Sequence, residues 1–235
     1  MIEKFIAYAS SYNPTFEHSI RGASPAEIQH AETLVGRPLP EYYRRYLIRM
    51  GHDDAGLKPV DDGAIKIENL IRYYTDSASS SDPLVVPPDC IIIANPVVFD
   101  VCLYCGGGSE PTVYHTEADT LYQLYAESLE KLLFQYAFRK YRMPLYPHTV
   151  SLGAPMGEDI PKLLKPAGEF AERMGFQRQW FSDSVRFCGE TTNAAISMVE
   201  YEQEPGLGIR IDGTDRAELE LLETKFRKHF DEIVR

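Results

Sequence analysis

The sequence predicts an α+β fold: a β-sheet with flanking helices, followed by a smaller α+β C-terminal domain. Three observations carry this prediction. Strong helix start and stop signals lie between residues 24 and 51, short apolar runs with the length of strands follow between 90 and 125, and a stretch rich in proline and glycine lies at 142–161. A chain of 235 residues is long enough for two domains that each bury a hydrophobic core.

A short helix at 2–11, halted at Asn13, precedes two helices with well-marked ends. In the first of these two, the Ser24 side chain can cap the helix and Glu27 completes a capping box, while Gly36 ends the helix. Helical spacing puts four apolar residues on one face, namely Ile28, Ala31, Leu34 and Val35.

The second helix opens at Leu39-Pro40 and stops at Gly51. Its apolar face is formed by Tyr43, Tyr46, Leu47 and Met50. Because these positions recur at helical spacing, we expect Tyr43 and Tyr46 to be packing residues.

The region from 51 to 83 is predicted to be mostly irregular. Residues 51–63 have the composition of a loop with four aspartates around Gly56 and Pro59. We expect a short strand and a helical turn within 64–74, and a polar surface loop at 75–83.

Four strands and a helix are predicted next. Residues 90–94 form a continuous apolar run between prolines, and its length and β-branching favour a buried strand. The other strands are predicted at 97–104, 112–115 and 121–125, with a turn at Gly106-Gly107-Gly108. Ser128 then caps a helix whose face is formed by Leu129, Leu132, Leu133, Tyr136 and Ala137.

The domain boundaries follow from these elements. We predict a first domain at 1–145, a linker at 146–160 and a small C-terminal domain at 161–235. The C-terminal elements are a helix at 162–174, strands at 176–181, 184–188, 194–201 and 207–212, a hairpin turn at Glu204-Pro205-Gly206, and a closing helix from Thr214.

Composition narrows the classes of function. The net charge is −11, and the chain lacks the clustered Lys and Arg that grip a phosphate backbone, so we expect no direct binding of nucleic acid. No run of about 20 apolar residues exists, so no membrane contact is predicted. The N-terminus does not resemble a secretory signal, and four cysteines are too few for a disulfide scaffold, which together favour a cytoplasmic location.

The best candidate for catalytic chemistry is the pair Cys102 and Cys105 with His115 and Glu117 beyond it. These are the residue types of a zinc deaminase site, but there the His-x-Glu element precedes the cysteines, which start a helix. Here the order is reversed and the cysteines lie on a predicted strand. We therefore predict free thiols, with no metal, no cofactor and no catalytic residue, and keep a metal enzyme as the third hypothesis.

A recognition surface is predicted where carboxylates cluster before two tyrosines. Carboxylates steer a basic partner, and tyrosine supplies rigid area with a hydroxyl group. The candidate partner-binding residues are Asp53, Asp54, Asp61, Asp62, Glu68, Tyr73 and Tyr74.

The helical region also resembles the opening motif of the SUKH superfamily (Smi/Knr-type domain). The residues that carry the resemblance are Ile28, Glu32, Leu34, Gly36, Leu39-Pro40, Tyr42, Leu47 and Gly51. Ser128-Leu129-Glu130 is similar to the opening of the family's closing helix. The resemblance covers roughly residues 20–142 and implies a helical start, a mixed sheet and then a helix.

The resemblance implies a bacterial toxin-immunity protein, not an enzyme. Such a protein binds a cognate toxin, as in polymorphic toxin systems, and neutralises it by occlusion. The acidic charge suits a basic toxin and therefore a nuclease. The alternative is a regulatory scaffold that binds an endogenous partner, as eukaryotic relatives do. Whether the chain forms a homodimer stays open.

Overall fold

The computed structural model describes residues 2–60, 65–79, 85–95, 99–108, 110–154, 162–200 and 206–234. The chain divides into an N-terminal unit, Met1–Tyr136, and a C-terminal unit, Ala137–Arg235. Both units combine helices with antiparallel sheets, which confirms the predicted α+β class. Asp61, Asp62 and the turn at Glu204-Pro205 lie outside the described residues.

In the N-terminal unit, helices come before and after the four main strands along the chain. Its elements are α1 (Ile2–Tyr12), α2 (Phe16–Ser19), β1 (Ile20–Arg21), α3 (Pro25–Val35), α4 (Glu41–Met50), β2 (Asp53–Asp54), α5 (Ile67–Ser79), β3 (Cys90–Ala94), β4 (Asp100–Tyr104), β5 (Thr112–Glu117), β6 (Thr120–Ala126) and α6 (Leu129–Ala137).

Helix α3 begins and ends as the sequence predicts. The Ser24 hydroxyl accepts from the Glu27 backbone N–H, and the Glu27 carboxylate accepts from the Ser24 backbone N–H, which completes the capping box. Gly36 ends the helix in the left-handed conformation at φ 77°. The Glu32 carboxylate then accepts from the Leu39 backbone N–H at 3.1 Å, which ties the end of α3 to the approach to α4.

The segment of Gly22 and Ala23 packs directly against the backbone of α4. The Ala23 backbone N–H donates to the Leu47 carbonyl at 2.8 Å, and a Cβ on Gly22 would lie 1.7 Å from the Ile48 carbonyl oxygen. Gly51 is confined in the same way, because its Cβ would meet the Leu47 carbonyl oxygen at 2.5 Å. Gly51 ends α4 with φ −63°, so close packing rather than a left-handed cap explains this glycine.

Strands β3, β4, β5 and β6 form a four-stranded sheet in that order. Every strand pair of this sheet among the described residues is antiparallel, where the family resemblance implied a mixed sheet. All five residues of β3 are buried, as its apolar run predicts. Ser128 caps α6, since its side chain accepts from the Lys131 backbone N–H at 3.1 Å.

Helix α5 is longer than predicted. The expected strand and turn at 64–74, and the first part of the loop expected at 75–83, are a helix from Ile67 to Ser79. Ile67 and Leu70 are buried and α3 packs against this helix, so tertiary contact extends a segment whose C-terminal half is polar.

The C-terminal unit is a five-stranded antiparallel sheet with the order β7-β11-β10-β9-β8 and helices against it. It opens with a π-helical turn (Phe138–Arg142) and a 3₁₀ turn (Met143–Leu145), and continues with β7 (His148–Gly153), α7 (Leu164–Arg173), β8 (Gln177–Arg178), β9 (Arg186–Glu190), β10 (Ala194–Glu200), β11 (Leu207–Gly213) and α8 (Arg216–Val234).

Strand β7 lies where the sequence placed a linker. Residues 148–153 pair with β11 at the edge of the sheet. Within this strand only Leu152 is buried, so it lacks the apolar run by which the central strands were predicted. The hairpin of β10 and β11 and the closing helix agree with the sequence, and Leu219, Phe226 and Phe230 of α8 lie in the core.

Among the described residues, no helix combines the length and the apolar character that a membrane crossing requires.

Replacing Gly22 with alanine should destabilise the chain by about 3 kcal/mol, because the added methyl group overlaps backbone atoms of α4 that cannot move aside. Chemical denaturation measures this difference. The matched control is Gly208→Ala in β11, where the nearest atom to the new Cβ is 3.6 Å away. Equal stability of the Gly22→Ala protein and the wild type would contradict this close packing.

Candidate partner-binding surface

Five of the seven predicted partner-binding residues are described by the structure, and they play different roles. Asp53, Glu68 and Tyr73 lie at least partly at the surface. Asp54 is only 1% exposed, and the Tyr74 hydroxyl is engaged inside the unit. We call Asp53, Glu68 and Tyr73 the acidic surface from here on.

Asp54 shapes the loop that carries Asp53. Its carboxylate accepts from the Lys58 backbone N–H at 3.1 Å and from the buried Tyr46 hydroxyl at 3.4 Å. Ala55 and Lys58 have positive φ angles of 55° and 48°, so the backbone turns sharply around this carboxylate. Asp54 therefore stabilises the loop and is not available to a partner.

Asp53 is positioned by the backbone of the same loop. It pairs with Arg21 across the two-stranded sheet of β1 and β2, while Asp54 pairs with Ile20. The Asp53 carboxylate accepts from the Ala55 backbone N–H at 3.0 Å, an Asx-type turn. One side chain of this pair of aspartates thus points inward and the other remains half-exposed.

Glu68 is exposed in the first turn of α5 and is held by His52. The Glu68 carboxylate lies 2.5 Å from His52 Nδ1, and His52 Nε2 lies 3.1 Å from the Glu27 carboxylate of the α3 capping box. Only the protonated imidazole can donate to both carboxylates at once. These hydrogen bonds, led by the one to Glu68, raise the pKa of His52.

Glu27 is the shared member of this network. Its carboxylate accepts from the Ser24 hydroxyl at 2.7 Å and from the Ser24 backbone N–H at 2.8 Å. These hydrogen bonds, with a smaller contribution from His52, lower the pKa of Glu27 to about 2. The carboxylates of Glu27 and Glu68 also lie at helix N-termini, where the helix dipoles favour negative charge.

From the sequence pattern, Glu27 is recognisable only as a cap, and no role is predicted for His52. No spacing rule connects the two residues, because they are 25 positions apart and meet through the β1–β2 pairing that positions the loop. The proximity of His52 to the aspartates at 53 and 54 was the only signal in the sequence.

The two neighbouring tyrosines of α5 are both partly exposed, but their contacts differ. The Arg72 guanidinium lies 5.5 Å from the centroid of the half-exposed Tyr73 ring, which holds this ring by a cation–π contact. Tyr74 accepts from the Ile92 backbone N–H at 3.0 Å and so docks α5 on β3. Burial raises the pKa of Tyr74 to about 12.

The tyrosines of α4 belong to the core. Tyr43 and Tyr46 are fully buried and stacked with ring centroids 6.1 Å apart, which confirms their predicted packing role. Burial raises the pKa of both hydroxyls, so they stay protonated.

The residues considered for a zinc site do not converge. Cys102 is paired with Tyr114 across β4 and β5, whereas His115 is paired with Val101, so Cys102 and His115 lie on opposite faces of the sheet. The His115 ring instead stacks on the Tyr125 ring, and the two ring centroids lie 4.5 Å apart. Within the described parts of the chain, no three His, Cys, Asp or Glu side chains are arranged to hold a metal ion.

Comparison with known proteins agrees with the sequence motif. Residues 22–135 match the SMI1 / KNR4 family (SUKH-1), which confirms the predicted SUKH resemblance. The matched segment contains α3, α4, the loop with Asp53, α5 and the four-stranded sheet. No curated protein and no solved structure matches the chain.

The His52 network should make stability depend on pH. The pKa of His52 is raised in the folded protein above its ordinary value of 6.5, so the stabilisation is fully present below about pH 6.5 and is lost as pH rises through the folded pKa. Because both carboxylates are partly exposed, we expect a change of about 1 kcal/mol or less. Urea unfolding measured across this pH range reports it.

The variants Glu68→Gln and His52→Gln test whether these residues cause the pH dependence of stability. Glu68→Gln removes the partner that raises the pKa most, so the loss of stability should begin at lower pH and be smaller. His52→Gln should lack this pH-dependent component. An identical pH profile in the wild type and both variants would contradict the network.

Proposed function

We propose that the chain, whose residues 22–135 match the SMI1 / KNR4 family (SUKH-1), is an immunity protein that binds a cognate bacterial toxin and neutralises it. The family match is the observation that carries this proposal. The resemblance to SUKH immunity proteins implies that the toxin is made by the same cell. We place the action in the cytoplasm, where a nuclease toxin meets its nucleic acid substrate.

The proposed mechanism is occlusion by the acidic surface. Carboxylates of Asp53 and Glu68 accept hydrogen bonds from lysine and arginine side chains, as phosphate oxygens of a nucleic acid do. Tyr73, further along the same helix as Glu68, adds a rigid aromatic contact, and aromatic residues are enriched among the residues that dominate binding energy. No covalent bond forms or breaks in this mechanism.

A basic nuclease is the partner that fits this surface best. The net charge of −11 favours association with a positively charged protein and disfavours nucleic acid itself. Tight complexes of this kind bury about 1,600 Å² of surface in total, an area larger than three side chains can cover. We therefore expect the surrounding exposed residues of α3 and α5 to complete the interface.

The central test is inhibition of the proposed toxin, whose gene we expect to lie beside the gene for this chain. We expect equimolar protein to abolish cleavage of nucleic acid by the purified toxin, and co-expression to protect cells from it. Persistent killing in the presence of soluble protein would contradict immunity. Full toxin activity together with specific binding of a host protein would favour the regulatory scaffold instead.

The variant Tyr73→Ala should weaken inhibition about tenfold by removing the aromatic contact. Tyr141→Ala is the matched control, because Tyr141 is also half-exposed and has the preceding cation, Lys140, at 5.8 Å from its ring centroid. Inhibition constants from a cleavage titration measure both effects. Equal losses in the two variants would argue against a specific role for Tyr73.

The acidic surface should also accelerate association. We expect the association rate to fall several-fold when ionic strength rises from about 20 mM to about 150 mM. Glu68→Gln should reduce both the rate and its salt dependence, whereas Glu220→Gln, which removes an equally exposed carboxylate with an arginine partner on α8, should change neither. A rate independent of salt would remove charge steering from the proposal.

A further inference from the structure

A pair of cysteines on adjacent strands lies within reaction distance. Cys90 of β3 and Cys102 of β4 have their sulfur atoms 3.2 Å apart. Cys90 is paired with Tyr104 and Cys102 with Ile92, so the two cysteines are diagonal neighbours on one face of the sheet. Both thiols are free, at 5% and 0% exposure.

The two thiols are chemically unequal. The Cys102 thiol donates its hydrogen bond to Cys90 Sγ, which lowers the pKa of Cys90 and raises that of Cys102. Burial and the negative charge of Asp89 oppose the lowering of the Cys90 pKa, and the positive charge of Arg37 makes a smaller contribution that favours it. Cys90 therefore has the greater thiolate character, and it follows the exposed residue Asp89 directly in the chain.

We propose that Cys90 and Cys102 are a modification site at which peroxide forms a disulfide bond. The Cys90 thiolate attacks hydrogen peroxide, takes up one oxygen as a sulfenic acid and releases hydroxide. Cys102 then attacks the sulfenic sulfur, the S–S bond forms and water leaves after proton transfer. In total, two thiols and one peroxide give one disulfide and two waters, and two electrons pass from sulfur to peroxide.

The sheet makes the bond reachable and gives it a structural effect. The sulfur atoms must approach by about 1.1 Å to reach the bonded distance of about 2.05 Å, which requires the two side chains and the strands that carry them to move. The bond would link β3 to β4 beside Ile92, whose backbone N–H binds Tyr74 of α5. Oxidation should therefore stabilise the strand edge on which α5 docks, and raise the unfolding midpoint of the chain.

Peroxide treatment of the purified chain tests the proposal. We expect intact mass to fall by about 2 Da, and peptide mapping without reduction to join the segments containing Cys90 and Cys102. In Cys102→Ser the mass should instead rise by about 16 Da, as a sulfenic acid on Cys90 that a dimedone probe traps. In Cys90→Ser neither change should occur.

Two controls make the result decisive even if a variant of the pair folds poorly. Cys188→Ser removes a fully buried thiol of the C-terminal unit, and Cys105→Ser removes the half-buried thiol near the pair; both should form the bond as the wild type does. No mass loss in the folded wild type, or a bond that maps to Cys105, overturns the proposal.

Discussion

The carboxylate of Glu27 connects the helices and the loop that carry the acidic surface. It satisfies the Ser24 backbone N–H at the start of α3, and it also lies 3.1 Å from His52. His52 continues to Glu68 in the first turn of α5. One carboxylate thus completes a local helix cap and, through one imidazole, connects two helix starts with the loop between them.

This connection explains how structural and recognition roles can occupy neighbouring residues. Asp54 and Tyr74 are engaged within the unit, one in the loop and one at the edge of β3. The adjacent Asp53 and Tyr73 are left partly exposed on a backbone that those internal contacts fix. A surface with fixed side-chain positions loses little conformational entropy when it binds, which favours the proposed role as a passive inhibitor.

The sequence predicted those features that depend on neighbouring residues. The α3 capping box, the stop at Gly36 and the buried run of β3 all follow from patterns within a few positions, and the structure confirms them. The motif from Ile28 to Gly51 carries the family resemblance for a related reason, since its apolar residues pack two successive helices, Gly36 ends the first helix and Gly51 fits closely against the second.

The features that the sequence did not reveal depend on distant partners. Strand β7 lacks a continuous apolar run because it lies at a sheet edge, and the prolines and glycines around it predict a linker. The candidate surface was predicted from clustered charges, but the adjacent Asp53 and Asp54 face opposite ways. The contact of His52 with Glu27 exists only after folding. In the sequence, Cys105 is the cysteine nearest to Cys102, whereas the sheet brings Cys102 to Cys90.

Hydrogen–deuterium exchange of the chain alone and in complex with the proposed cognate toxin tests the central claim most directly. The account predicts that the toxin slows exchange in the peptides that cover 52–55 and 67–76, where the acidic surface lies. Stable binding that leaves both peptides unchanged, with slowed exchange confined to the C-terminal unit, would contradict it.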